Sequence, residues 1–343
     1  GALLKDRYRI IEILGQGGMG SIYRAVDENL GVEVAVKENL FTIDDYTRQF
    51  KREAVILASL RHPNLPRVTD HFSIPDQGQY LIMDYIEGED LQERMERVRL
   101  IPEEEVIIIG ATICDALSYM HSHDPVVLHR DIKPGNVRIT PREDIYLVDF
   151  GLAKIIRGNQ TTTTGARAMT LGFSPPEQYG AARTDPRTDI YSLGATLYTA
   201  ATGSTPEDSL ARTMDQENLT PVRERNPKVS RRVADAIEKA LEVHPGNRFQ
   251  LAAELKNELL KAQSGRFSFG FGLDVSEAGQ SQGEEKKPSS PPQRVETKDL
   301  DEEKEKSPAR ARRRKRRPSF LADEKRLRGG CLSLLGLLAL ILV

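Results

Sequence analysis

Through the first 84 residues, apolar and polar side chains alternate in short runs. Residues 8–14, 21–26, 32–37 and 79–84 are rich in β-branched side chains and predict strands, while residues 44–60 switch to helical spacing. Beyond residue 100 the helical period dominates, predicting helices over 103–121, 189–201, 230–241 and 251–260. The change falls between Asp84 and Asp90. The pattern therefore predicts a small sheet domain followed by a larger helical one. No internal repeat is visible.

The pattern fails after residue 262. Residues 263–328 are rich in Ser, Pro, Gly, Gln and mixed charge, and such a stretch buries too little apolar surface to offset its ordering entropy, so it reads as a disordered linker. Charge follows the same division. Of the net charge of −2, residues 263–328 hold 17 Lys/Arg against 12 Asp/Glu, or +5, which leaves −7 for residues 1–262. Seven of the eight residues from Arg310 to Arg317 are basic, and after them Gly329 to Val343 runs 15 residues without a charge. About 20 apolar residues span a bilayer, so 329–343 reads as the start of a truncated transmembrane helix. A basic cluster on its flank puts residues 1–262 on the cytoplasmic side and gives anionic lipids a partner in Arg310–Arg317. A nucleic-acid patch is the rival reading of that cluster, which the apolar run disfavours. Two cysteines, Cys114 and Cys331, are too few for a disulfide framework and suit a reducing compartment.

Three groups of residues carry chemistry. Gly15-Gln16-Gly17-Gly18-Met19-Gly20 lies between two predicted strands, where glycines allow positive φ and let backbone amides approach phosphate oxygens. A dinucleotide-binding glycine loop opens a helix. Here strand residues Ser21 to Val26 follow, so the loop is the tip of a hairpin, and Ile22 starts its return. In Val32 to Lys37 the alternation places Ala35 and Lys37 on one face. Glu53 falls inside the apolar stripe of the 44–60 helix and needs a cation, for which Lys37 is the candidate. Finally, His129-Arg130-Asp131-Ile132-Lys133-Pro134-Gly135-Asn136 precedes Asp149-Phe150-Gly151. Two carboxylates and an amide supply oxygen ligands for a divalent cation and an acceptor for a hydroxyl proton.

In this order the motifs resemble the protein kinase superfamily, and within it the bacterial transmembrane serine/threonine kinases, over residues 8 to about 262. The resemblance implies a bilobal α+β fold, with a small antiparallel-sheet lobe at about 8–84 and a larger, mostly helical lobe at about 90–262, that binds ATP with Mg²⁺, for which Mn²⁺ can substitute. It assigns Gly15, Gln16, Gly17, Gly18, Gly20, Ile22 and Ala35 to the nucleotide. Lys37, paired with Glu53, takes the α and β phosphates. Met83 becomes the gatekeeper, Asp84 to Ile86 the hinge that reads adenine, and Asp90 the ribose contact. Asp131 is the implied base, Lys133 the γ-phosphate contact, and Asn136 and Asp149 the metal ligands.

Further residues of the resemblance concern substrate and control. Thr170 is expected to bond Asp131 and Lys133, Glu177 to pair with Arg248, and Asp189 to cap a helix while supporting the catalytic segment. Pro175 stands where Ala is usual. Arg130 is expected to receive a phosphorylated activation segment, with Thr162 and Thr164 as the acceptors. Small-molecule phosphotransferases share the lysine and metal ligands but generally lack Arg130 and the Pro-Glu segment. The resemblance thus implies transfer of phosphoryl to Ser/Thr of protein substrates, from a single-pass membrane protein with its catalytic lobes in the cytoplasm. A nucleotide-binding pseudokinase scaffold is the alternative, and whether a homodimer forms is left open.

Overall fold

The computed structural model describes residues 1–17, 20–40, 44–75, 77–149, 154–156, 170–179 and 184–267. Its N-terminal lobe is a six-stranded antiparallel sheet in the order β1-β2-β3-β4-β6-β5, formed by β1 (Leu3–Leu4), β2 (Tyr8–Gly17), β3 (Gly20–Asp27), β4 (Val32–Asn39), β5 (Val68–Ile74) and β6 (Gly78–Asp84), with helix α1 (Asp44–Leu57) between β4 and β5. Alternation on β4 sorts its side chains. Ala35 joins a core shared with α1 and the C-terminal lobe, whereas Val34 and Val36 join Tyr8, Phe72, Tyr80 and Ile82 in a separate cluster on the outer face. Phe50, Ala54 and Leu57 of α1 are buried at spacings of four and three.

Two details differ from the sequence expectation. The helix predicted to reach residue 60 ends at Leu57, because Ser59 and Leu60 close i→i−3 turns onto Ile56 and Leu57, and Pro63 follows. Strand β5 was not anticipated, since Thr69, Asp70, His71 and Ser73 make the segment look like a polar loop. It is a sheet edge with its polar residues turned largely away from the core.

The C-terminal lobe opens with β7 (Glu89–Asp90) and α2 (Leu91–Val98). Helix α2 was also missed in the sequence, because only Leu91 and Met95 are buried in it, and its start is fixed by a capping box of Asp90 and Glu93. Then come α3 (Glu103–His121), β8 (Val126–Leu128), β9 (Val137–Ile139), β10 (Ile145–Leu147) and β11 (Lys154–Ile156). The ladders β10-β9-β7 and β11-β8 flank the segment 129–136. Helices α4 (Pro176–Tyr179), α5 (Pro186–Thr202), α6 (Ser209–Thr213), α7 (Val222–Arg225), α8 (Arg231–Ala240) and α9 (Ala252–Phe267) complete the lobe.

Helix α5 is its axis. Every residue from Thr188 to Thr202 is buried. Its polar side chains remain satisfied because Ser192, Thr196, Thr199 and Thr202 donate to the carbonyls four residues earlier. Gly110 lets α3 approach closely, since a Cβ there would come within 2.6 Å of a Leu259 methyl and 2.9 Å of a Leu197 methyl. The N-cap of α5 is Asp185, not Asp189, which lies in the first turn. Helix α9 runs to Phe267, past the boundary expected at 262. Among the described residues no helix is long and apolar enough to cross a membrane. The basic cluster 310–317 and the apolar run 329–343 lie outside the described residues.

One ion pair ties α4 to the end of the lobe. Arg248, 2 % exposed, donates through Nη1 and Nη2 to Glu177 at 2.6 and 3.0 Å, through Nη1 also to the Arg187 carbonyl, through Nε to that of Glu242 and through Nη2 to that of Val243. All five guanidinium donors are thereby used. Removing one partner of such a pair strands the other charge in the interior. Arg248→Met should lower the unfolding free energy by about 3–5 kcal/mol in urea titrations, and a variant of unchanged stability would show that the pair is not structural.

Candidate active site

The segment from His129 to Asn136 has almost no regular backbone pairing, so other groups must hold it. Asp189 does most of this, accepting the His129 amide on Oδ2 at 3.0 Å and the Arg130 amide on Oδ1 at 2.7 Å, with the His121 ring at 2.9 Å from Oδ2. Burial alone would raise the Asp189 carboxyl, but the bond to His121, nearby histidine charge and the Arg130 amide hold it below the usual carboxylate range. Arg130 adopts φ +67, unusual for a residue with a Cβ, and its carbonyl accepts from Gln178 Nε2 at 2.9 Å. His129 Nε2 meets the Val148 carbonyl at 3.1 Å, and burial lowers its basicity.

This scaffold aims Asp131 at a cluster of donors. Its Oδ1 accepts from Thr170 Oγ1 at 3.0 Å, while Oδ2 lies 3.0 Å from Asn136 Nδ2 and 2.9 Å from Lys133 Nζ. Lys133 also reaches Thr170 Oγ1 at 3.5 Å, so the expected three-way contact is present. Asn136 spends its amide hydrogens on the Asp131 carbonyl and carboxylate, leaving its Oδ1 to face elsewhere.

Across the cleft, Lys37 of β4 forms an ion pair with Asp149, which has φ +54. Burial would raise the Asp149 carboxyl, yet the Lys37 charge and hydrogen bond keep it below the ordinary range. An ionised carboxylate and the Asn136 amide oxygen are hard donors of the kind a small divalent cation takes, with phosphate and water completing its shell. Among the described residues no group of three His, Cys, Asp or Glu is placed to hold a metal. Glu53 is buried, 5 % exposed, in the α1 stripe as expected.

The hairpin predicted around Gly15 to Gly20 is formed. Gly15 pairs with Ile22, Gln16 with Ser21 and Gly17 with Gly20. The expected positive φ holds at Gly20 (+145) but not at Gly15 or Gly17, which continue the strand. A Cβ at Gly20 would strike the Glu38 carbonyl, whereas nothing lies near one at Gly15 or Gly17, so those two glycines border open space. Gly18 lies outside the described residues. Ile22 sits opposite Lys37, and Ala35 opposite Met83.

At the junction of the lobes, the Asp84 carboxylate is turned onto Arg67, accepting from its amide and its Nε. Asp90 caps α2 through Oδ1. Sequence reasoning missed Arg138, which reaches the Ile86 carbonyl and stands near Asp90. The signal available was a lone charged residue within the apolar run Val137 to Ile139. Thr162 and Thr164 lie outside the described residues.

A bilobal fold with this constellation in its cleft is that of the protein kinase class. The family model for the protein kinase domain matches residues 8–260, and the chain belongs to that family, whose members use ATP and a divalent metal. It is 33 % identical over 269 residues to "Probable serine/threonine-protein kinase" of Clostridium perfringens, covering 76 % of this chain and 39 % of that protein. It is 34 % identical over 276 residues to serine/threonine-protein kinase PknB of Mycolicibacterium smegmatis (77 % and 44 %), and 33 % over 275 residues to PknB of Mycobacterium leprae (77 % and 44 %). The chain thus spans less than half the length of these relatives.

Asp189→Asn puts an amide donor against one of two backbone donors. The variant should lose about 1–3 kcal/mol of stability and show faster hydrogen exchange at His129 and Arg130 than elsewhere in the lobe. Because the folded carboxyl titrates low, the wild-type contribution is in place above about pH 4 and fades as pH falls through the folded value; Asp189→Asn should lack that acid-side loss.

Proposed function

We propose that the chain is a serine/threonine protein kinase that moves the γ-phosphoryl group of ATP to Ser or Thr hydroxyls of proteins. The observation that carries this reading is the Asp131 carboxylate, held by Thr170, Asn136 and Lys133 at hydrogen-bond distance beside the Lys37–Asp149 pair. The printed names of the relatives agree with the choice of hydroxyl.

In this reading the glycine hairpin covers the phosphates, Lys37 neutralises their charge, and the backbone from Asp84 to Ile86 meets the adenine edge. Mg²⁺, or Mn²⁺ in its place, would be held by Asn136 and Asp149 and would offset charge on the β and γ phosphates. Asp131 accepts the proton of the attacking hydroxyl, Lys133 meets the γ-phosphoryl, and the rate comes chiefly from positioning and fixed charge. Thr170 acts as a brace on Asp131. Autophosphorylation of Thr162 and Thr164, with Arg130 as the cation that receives the phosphate, belongs to the same proposal. So does attachment to a membrane with the kinase lobes cytoplasmic, supported by the uncharged run 329–343 that follows the basic cluster Arg310–Arg317 further along the chain.

Asp131→Asn separates this function from a nucleotide-binding scaffold. Phosphate transfer from Mg-ATP to a Ser/Thr protein should fall by about 10²–10⁴-fold, the range for losing a positioned base, while ATP affinity measured by calorimetry changes little. Equal transfer by variant and wild type would refute the role of Asp131. For the membrane, the full-length protein should remain with membranes after a carbonate wash, and its full release into the supernatant would refute a spanning anchor.

A further inference from the structure

Arg24 stands in the middle of β3, where it pairs with Ala35 of β4, which in turn pairs with Met83 of β6. Residues opposite one another on antiparallel strands share a face, so Arg24 lies on the cleft side of the sheet with Ala35 and Met83. Its guanidinium gathers three elements. Nη1 donates to Glu12 of β2 at 3.0 Å, Nη2 donates to Glu33 of β4 at 2.6 Å, and the guanidinium carbon lies 5.0 Å from the centre of the Tyr85 ring. That is within cation–π range. Tyr85 is the first residue past the end of β6, on the stretch whose backbone would meet the adenine edge.

The strand that this side chain holds is one whose backbone pairing is broken. The β2–β3 ladder shifts register between Ile10 and Glu12 and again between Ile13 and Gly15, so Glu12 sits between two irregularities. Such breaks let a strand bend. Beyond them, a Cβ at Gly15 or Gly17 would meet nothing within 4 Å. The Arg24–Glu12 bond thus pins β2 where its ladder is least regular, and through Tyr85 the same guanidinium reaches the junction of the lobes. Arg24 is 32 % exposed, and ion pairs so open to water contribute little to global stability. One planar cation shared by two carboxylates and an aromatic ring fixes geometry instead.

We propose that Arg24 is a positioning residue for the nucleotide, holding the glycine hairpin at a set height above the backbone at Tyr85 so that phosphates and base are met together. This rests on the nucleotide-binding reading of the cleft. A roof held in place before the ligand arrives lowers the ordering cost that binding must offset. Arg24 acts through Glu12 and Tyr85, and its own charge is taken up by the two carboxylates.

The test is calorimetric titration of the 343-residue chain with Mg-ATP, paired with KM and kcat for transfer to a Ser/Thr protein. Arg24→Met should weaken ATP binding and raise KM by about three- to tenfold, the size expected for losing a cation–π contact and two partly exposed ion pairs, with kcat at saturating ATP close to that of the wild type. Glu12→Met should weaken binding in the same direction. Removing a negative charge would by itself tighten the binding of an anion, so this sign separates positioning from plain charge. The double variant should bind no more weakly than Arg24→Met, and Arg24→Lys should recover part of the loss. An Arg24→Met variant with unchanged affinity and a lower melting temperature, the mark of a purely structural role, would overturn the inference, as would tighter binding by Glu12→Met. A wild type that binds Mg-ATP yet transfers no phosphate would sink the kinase assignment while the affinity differences still decide this one, whereas a wild type that binds no Mg-ATP would overturn both.

Discussion

The segment 129–136 is irregular backbone, and the Asp189 carboxylate takes up the amides of His129 and Arg130. That carboxylate lies on α5, the most deeply buried helix of the lobe, so the position of Asp131 is referred to the rigid core and not to a loop. Other anchors converge on the same point. Gln178 of α4 holds the Arg130 carbonyl, and α4 is in turn fastened by the pair of Glu177 with Arg248. The left-handed backbone at Arg130 and Asp149, costly for residues with a Cβ, persists because these surroundings overdetermine it.

Charge in the cleft is arranged by the same logic. Asp131 faces Lys133, and Asp149 faces Lys37, so each carboxylate has a specific cation beside it. Residues 1–262 carry −7 overall, so the positive charge in the cleft is local, supplied by Lys37 and Lys133 and not by net charge. Two of those partners, Lys37 and Asp149, are 112 residues apart in the chain. The sheet of one lobe and the catalytic ladder of the other must therefore both be formed before the site exists.

Much of this was legible in the sequence where a residue's type and spacing report its environment. The β4 alternation separated Ala35 and Lys37 from the valines, and the long period of α3 marked a core helix. Segments whose partners lie elsewhere in the chain were harder to read. Strand β5 is recognisable only through its pairing with β6, and α2 buries too few side chains to show a period. Arg138 was not singled out because its meaning comes from Ile86 and Asp90, about fifty residues earlier. The role of the α5 cap was misassigned because Asp185 and Asp189 are both acidic residues near one helix start, and only the backbone decides which of them is the cap.

The outer face of the sheet has its own small core, in which Tyr8, Phe72 and Tyr80 stack at 5.7 and 5.3 Å, apart from the large core that runs from α1 and Ala35 into the C-terminal lobe. The molecule thus has two insulated compartments separated by one layer of backbone. Side chains on the outer side can be exchanged or repacked without altering the geometry around Asp131, whereas a change on the inner side is felt in both lobes at once. The outer face is therefore where this fold has latitude to diversify while its chemistry stays the same.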